Sequence, residues 1–355
     1  MSVPKFPHTG DAFYLELKKR VGDYFSQAGI ASTGNFQLYF KAVLLVISYI
    51  ALYTWLVFFT PATFIAIIGC AVLGILTAAI GFNVMHDGAH GSFSQHPWLN
   101  KLAGLSLNVL GANNYLWKTK HNVIHHAYTN VDGVDDDIDA RPFLRLCETQ
   151  KFYKVHRFQH LYFWAAYSLL YLWWIFFTDY RKYFAGRIGP VKLKKMNMSE
   201  HLTFWGFKVL HMAIFVVLPI LVVGVIPWLV GFLTLALVAG FVLSIVFQLA
   251  HTVQDTEFPQ ADPVTNKLGD EWAIHQLKTT ANFSNRNRLI SWWVGGLNFQ
   301  IEHHLFPRIS HVHYPAISKL IRQTCTEFGI QYIEYPRLRY AVASHVAFLR
   351  QMGKP

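Results

Sequence analysis

Two long stretches without a formal charge decide what this chain can fold into. No Asp, Glu, Lys or Arg occurs from Ala42 to Met85, and none from Val209 to Gln254. A membrane-spanning helix needs about 20 apolar residues, so each stretch has room for two. Each also carries a proline near its middle, Pro61 in FFTPATF and Pro227 in GVIPWLV. Proline removes a backbone donor and clashes with the preceding turn, so it ends or kinks a helix. The pattern predicts an all-α integral membrane protein with four transmembrane helices in two hairpins, at about 40–59, 62–85, 205–226 and 228–250. Composition agrees, since only 14% of the 355 residues are charged, against roughly 25% in a soluble domain.

A third apolar segment, LYFWAAYSLLYLWWIFF at 161–177, is short for a span and rich in Tyr and Trp, which favour the membrane interface. It runs into DYRKYFAGRIGPVKLKK, with Arg181, Lys182, Arg187, Lys192, Lys194 and Lys195. Basic loops stay in the cytoplasm. Four spans keep this loop on the same side as the histidine-rich segments before residue 130 and after residue 300; a fifth would part them. Residues 158–178 are therefore expected to form an interfacial or re-entrant helix, and the short, Asn-rich segment 102–117 likewise. In DAFYLELKKRVGDYF, 11–25, Phe13, Leu17, Val21 and Tyr24 share one helix face. That suits a helix lying on the membrane and equally one packed on a cytoplasmic domain.

Residues 251–355 are more polar and read as a cytoplasmic helical cap, with HYPAISKLIRQTCTEFGI, 313–330, as its clearest helix. Both termini are expected on the cytoplasmic side. The net charge of +11 is accounted for by a membrane surface, so no nucleic-acid partner is expected. Cys70, Cys147 and Cys325 are far apart with no CxxC, which excludes a disulfide framework or a cysteine-rich metal site. No cleavable signal peptide is visible, the first apolar run beginning too late.

Histidine is concentrated at the polar ends of the apolar stretches. The first ends in NVMHDGAHGSF, where His86 and His90 are four apart and face the same way on a helix. HNVIHH follows, with His121 and His125 again four apart and His126 turned by about 100° from His125 on a helix of 3.6 residues per turn. Two adjacent imidazoles can thus serve different metal ions. His251 closes the second stretch in FQLAH, and NFQIEHHLFP repeats the adjacent pair as His303 and His304. A lone HxxxH pair is a weak signal, and histidines also sit at membrane interfaces for polarity alone. Three clusters on one face of the membrane argue for a metal site. The remaining His8, His96, His156, His160, His201, His211, His311, His313 and His345 read as surface or structural, while His275 in EWAIHQLKTTANF stays a candidate near the site.

Eight imidazoles exceed the four ligands of one zinc and suit two ions with open positions. Imidazole binds Zn, Cu, Fe and Ni alike, so the ligand type does not select the metal. No serine nucleophile elbow, phosphate loop or dinucleotide fingerprint is present. A redox pair that activates dioxygen beside an apolar channel is the chemistry that uses two metals, open positions and a lipid-facing mouth. Metal-bound imidazole usually donates its other N–H to a carboxylate or carbonyl. Asp132, Asp135, Asp136, Asp137 and Asp139 are candidates, Asp135 foremost, against the plain alternative of a solvated acidic loop; Asp87, Glu302 and Gln300 adjoin cluster histidines. Trp117, Trp292 and Trp293 are candidates to line a substrate tunnel, or else interface anchors. Arg286 and Arg288, in SNRNRL, are candidates for head-group phosphates, or else ordinary cytoplasmic cations.

HDGAH, HNVIHH and QIEHH resemble the three histidine boxes of the membrane fatty-acid desaturases, HxxxH, HxxxHH and QxxHH. The order of hairpins and boxes matches too, over roughly residues 40–310. The resemblance implies a membrane and metal core at 37–310 between an N-terminal segment, 1–36, and a C-terminal helical tail, 311–355. It implies a non-haem di-iron centre held by His86, His90, His121, His125, His126, His303 and His304, with His251 as the further ligand that the family draws from the end of its last span. Two Fe ions, dioxygen and two electrons then remove two hydrogens to leave a cis double bond. Gln300 in place of a third-box histidine is similar to front-end desaturases, which act between an existing double bond and the carboxyl end, and to their sphingolipid relatives. Many front-end enzymes carry a fused cytochrome b5-type domain with an HPGG haem motif; none is seen here. That is more in keeping with bacterial acyl-CoA or acyl-lipid desaturases of the linoleoyl-CoA type, served by a separate donor such as ferredoxin or a free cytochrome b5-type protein. The acyl partner would be bound to CoA, lipid or a carrier protein.

Three rivals remain at this level. A related di-iron hydroxylase, ketolase or epoxygenase would add oxygen instead of removing hydrogen. A histidine-lined metal transporter would need ionisable residues inside its spans, which the charge-free runs argue against. A zinc-dependent membrane hydrolase would hold zinc alone.

Overall fold

The computed structural model describes residues 3–7 and 12–355; His8 lies outside them. The chain is mostly helical, and among the described residues four helices are long and apolar enough to cross a membrane: Phe36–Phe58, Thr63–His90, Met198–Val223 and Val225–His251. Their outward faces carry exposed apolar side chains such as Ile47, Ile50, Phe64, Ile68 and Leu221. Backbone groups in hydrocarbon must be satisfied within the segment, which a helix alone achieves for a single apolar strip. The protein is an integral membrane protein.

The first break falls where Pro61 places it, between Phe58 and Thr63. The second does not follow Pro227. Gly224, at φ 89° and ψ 165°, makes the turn, and Pro227 sits in the first turn of Val225–His251. The first N–H groups of a helix have no intrahelical acceptor, so proline costs little there. Glycine supplies a positive φ that other residues resist. The span expected at 205–226 also begins earlier, at Met198, capped by Asn197, whose side chain accepts from Glu200 N. Its Pro219 follows a π-helical turn, Ala213–Val217, one of the ordinary ways a helix absorbs a local break.

Helix Thr63–His90 packs on Phe36–Phe58 and on Val225–His251. At Gly74 a Cβ would lie 2.5 Å from Leu235 O, and at Gly240 it would collide with Ser168 O. Small residues of this kind let membrane helices approach backbone to backbone. The segment around 158–178 is two helices, Lys154–Ser168 and Leu170–Ala185, bent by 56° at Leu169. Lys208 ties it down by donating to Asp179 Oδ2 at 2.9 Å, Ile175 O at 3.2 Å and Gly111 O at 2.7 Å.

The N-terminal helix, Ala12–Ala28, turns Phe13, Leu17 and Val21 inward against Ile317, Ile321 and Cys325 of the helix Tyr314–Glu327. Of the two placements open for it, packing on another part of the protein is the observed one. Phe348, Leu349 and Met352 of the last helix, Leu338–Met352, pack with Leu144, Phe163 and Tyr167. The β-structure among the described residues is slight: Arg187–Ile188 with Val191–Lys192, and Asn282–Phe283 with Glu334–Tyr335.

Candidate metal centre

The histidines of the sequence clusters meet at one end of the helices. His86, His90, His121 and His303 each bring a ring nitrogen within 4.8 Å of the others, and His125, His251 and His304 form a second such group. His126 joins the two, its ring 4.5 Å from that of His303 and 4.4 Å from that of His304. The adjacent pair His303–His304 thus divides between the groups. All eight rings are buried.

Local backbone geometry creates this arrangement. A π-helical turn, Gly81–Met85, precedes the short helix His86–His90, with His86 N–H donating to Gly81 O. A second, Thr119–His125, runs through the next cluster, and His126 N–H donates to His121 O five residues back. π-turns are rare and concentrate at functional sites. An α-helix would pair His121 with His125. Here the closest pair is His121 and His126, Nε2 to Nε2 at 3.2 Å, because the wide turn brings the fifth residue onto the same face. His125 is left free to point at His251 and His304, with ring centroids 4.8 and 4.9 Å away.

The unpaired nitrogens show what the centre is built to hold. His90 Nε2, His125 Nε2, His126 Nδ1, His251 Nε2, His303 Nε2 and His304 Nε2 are buried without a hydrogen-bond partner. Orphaned buried polar atoms are costly. The opposite nitrogens are held: His125 Nδ1 by Asp135 Oδ2 at 3.0 Å, His251 Nδ1 by Thr279 O at 3.2 Å, His304 Nδ1 by Gln276 Oε1 at 2.8 Å and His303 Nδ1 by Tyr314 OH at 3.1 Å. A carboxylate or carbonyl only accepts, so Nδ1 of His125, His251 and His304 carries the hydrogen and the Nε2 lone pair points inward. Burial, and the neighbouring imidazoles, hold His121, His126, His303 and His304 well below the usual imidazole range. They are neutral, the form that binds metal. Burial also pushes on His125, but the carboxylates of Asp135 and Asp137 outweigh it and raise this ring. A set of buried, pre-aimed imidazoles with free lone pairs fits transition-metal ions of the Fe, Zn or Cu kind.

The other candidates take varied places. Asp135 is buried and holds His125; in the rest of the acidic loop Asp136 pairs with Lys182, Asp137 with Lys120 and Asp139 with Arg141, while Asp132 accepts from Thr149 Oγ1 and Gln150 Nε2. Asp87 turns away from the cluster, accepting from Ser310 Oγ at 2.6 Å and His311 Nδ1 at 3.0 Å. Glu302 accepts from Asn282 and Tyr332 and braces its own helix rather than an imidazole; burial lifts it to about 7. Gln300 is buried beside the third box with Oε1 unpartnered. His275, pushed down to about 4 by burial, lies edge-on to Phe6 and outside both groups. Trp117 stacks on His121, with centroids 4.4 Å apart and planes at 24°. Trp292 and Trp293 lend their carbonyls to Lys41 and Asn83. Arg286 and Arg288 are exposed.

Sequence reasoning misses the groups that hold the rings. Thr279, Gln276 and Tyr314 carry no local signal, since each meets its histidine only through the fold. His311 reads in the sequence as surface or structural; it is buried between Asp87 and Lys41, whose Nζ lies 2.9 Å from His311 Nε2.

The fatty acid desaturase family matches residues 61–336. The chain is 35% identical over 343 residues to the sn-1 linoleoyl-lipid 6-desaturase of Arthrospira platensis, covering 96% of this chain and 92% of that one. It is likewise 35% identical to the sn-1 linoleoyl-lipid 6-desaturase of Synechocystis sp., with 96% of each covered. The acyl-lipid (8-3)-desaturase of Physcomitrium patens is 36% identical across 96% of this chain and 72% of its own length.

Proposed function

The chain belongs to the fatty acid desaturase family, and from that premise we propose an acyl-lipid desaturase of front-end type whose two histidine groups hold two irons. It is an oxidoreductase that desaturates fatty acyl chains. The observation that carries the metal assignment is the set of inward, unpartnered ring nitrogens, four of them on rings held from the far side by Asp135, Thr279, Gln276 or Tyr314. The ligand set is His86, His90, His121 and His303 on one side, His125, His251 and His304 on the other, with His126 between. The site opens to the cytoplasm, where the basic loop 179–195 also lies, and both termini share that side.

Bound iron supplies dioxygen activation, with two electrons from a separate donor such as ferredoxin or a free cytochrome b5-type protein. The chain's own residues position and shield. Asp135, Thr279 and Gln276 fix three rings in the tautomer that presents Nε2, which second-shell partners of metal sites commonly do. Burial of the whole cluster keeps bulk water from the reacting methylenes. Trp117 covers one face of His121 and narrows the approach. Which carbon loses hydrogen depends on a methylene being held about 3–3.5 Å from the oxidant, and so on how deep the acyl chain can enter. The product is a cis double bond, placed near the carboxyl end in keeping with the 6-desaturase names of the Arthrospira and Synechocystis relatives.

Expression in a host supplied with linoleate, followed by fatty-acid profiling, tests the reading. A product lighter by two hydrogens is expected; one heavier by an oxygen would make the protein a hydroxylase. Metal analysis of the purified chain is expected to find two irons, and zinc alone would overturn the assignment.

A further inference from the structure

A cavity of about 570 Å³ opens against the first histidine group, within the 300–1,000 Å³ usual for ligand sites. His90 forms part of its wall, with Gly88 and Asn114, and Lys101, Lys118 and Arg308 surround it. His90 is 8% exposed, so the cavity reaches the edge of the metal centre. Among the described residues no Asp or Glu lines the cavity, and no large apolar side chain does. It is therefore unsuited to an alkyl chain and strongly suited to an anion.

The three cations differ from the lysines that meet an aspartate inside the fold. Lys120, Lys182 and Lys208 are each paired with an aspartate. Lys101, Lys118 and Arg308 are exposed and, among the described residues, make no ion pair or hydrogen bond. They come from three separate segments: the helix Pro97–Val109, the helix Asn114–Lys118, and the stretch that follows the third histidine box. Their convergence is not a run of like charge in sequence. Exposed cations with free donors bind phosphate well, lysine as a point charge and arginine as a planar fork.

The surroundings indicate the source of the phosphate. Helix Pro97–Val109 buries Ala103, Gly104 and Leu107 and exposes Trp98 at 65% and Leu102 at 61%, on either side of Lys101. An outward apolar face with Trp and Lys belongs at the level of lipid head groups. We propose that this cavity binds the phosphate of a glycerophospholipid whose acyl chain is the substrate, with the ester beside His90. This rests on the desaturase reading above and names its carrier. It also accounts for a front-end outcome: with the head group held against the metal cluster, only carbons a few bonds from the ester can reach the centre.

The test uses the purified full-length protein in an uncharged detergent, with radiolabelled dilinoleoylphosphatidylglycerol, dilinoleoylglycerol and linoleoyl-CoA as equilibrium-binding probes. Hydrogen bonds to charged groups contribute enough that the phospholipid should bind at least about tenfold more tightly than dilinoleoylglycerol. In a combined Lys101→Gln, Lys118→Gln, Arg308→Gln variant that preference should vanish, with the two lipids binding alike. Arg308→Lys alone should retain most of it. Equal binding of the two lipids by the natural protein, or a preference that survives the triple substitution, overturns the site. Tighter binding of linoleoyl-CoA than of the phospholipid overturns the lipid as carrier. Profiling of linoleate products in the expressing host reads desaturation separately, so loss of the head-group site and loss of the desaturase reading give different results.

Discussion

The two histidine groups are made of the same side chain and are held differently. In the group of His125, His251 and His304, every outer nitrogen meets a buried acceptor: Asp135, Thr279 O or Gln276. These acceptors are themselves fixed. Asp135 Oδ2 also accepts from Asn130 N, and Gln276 Oε1 from Thr129 Oγ1, while Asn130 Nδ2 donates to His251 O. In the group of His86, His90, His121 and His303, only His303 has such a partner among the described residues, Tyr314. His121 is steadied by stacking on Trp117, and His90 faces the cavity. One half of the centre is a closed, hydrogen-bonded socket; the other is packed by aromatic faces and open on one side. A socket keeps its metal, and an open half is where substrate can come close.

The most damaging change should be His304→Ala, which takes a ligand from the closed group. Desaturation should fall below detection in fatty-acid profiles, and iron should drop from two per chain to one or none, while the protein still inserts. His125→Ala should behave alike. Retained activity in either variant would falsify the ligand assignment. Next comes Asp135→Asn, which keeps the shape and removes the charge behind His125. Loss of an outer partner usually costs about 10–100-fold in metal affinity or activity, and titration with a chelator should show that loss. Tyr314→Phe removes the single outer hydrogen bond of the open group and should weaken affinity by less than Asp135→Asn does. If the order is reversed, the comparison between the halves is wrong. The mildest test leaves the sequence alone: graded chelation should remove iron in two phases, the faster one from the open half. A single phase would mean that both halves behave as one site.

Much of this architecture is legible in the amino-acid sequence, for a physical reason. Ligand spacing such as 86/90 or 303/304 is local, and local geometry follows from helix periodicity. His251 stands out because a polar residue at the end of an apolar run is conspicuous. The four spans are legible from hydropathy alone, since a bilayer punishes any other pattern. What escapes depends on contacts between distant segments. Nothing near Thr279 marks it as the acceptor for His251, 28 residues away. Asp87 and Glu302 are candidates by adjacency along the chain, yet their carboxylates point to Ser310, His311, Asn282 and Tyr332. The sequence pattern puts the break of the second hairpin at Pro227 rather than Gly224 because proline is the louder signal, although a first-turn proline is harmless.

The wide turn at Thr119–His125 has a bearing on how this protein can change over time. It amounts to one surplus residue wound into a helix. Wound as a plain α-helix, the same six residues would set His121 and His126 about 140° apart, and any insertion or deletion between the two changes the five-residue spacing that the wide turn serves. Elsewhere, surface connections can lengthen or shorten at small expense, since loop closure grows only slowly with size. Gaps between related sequences should therefore accumulate in the connections and be missing from this stretch, where length itself is the constraint.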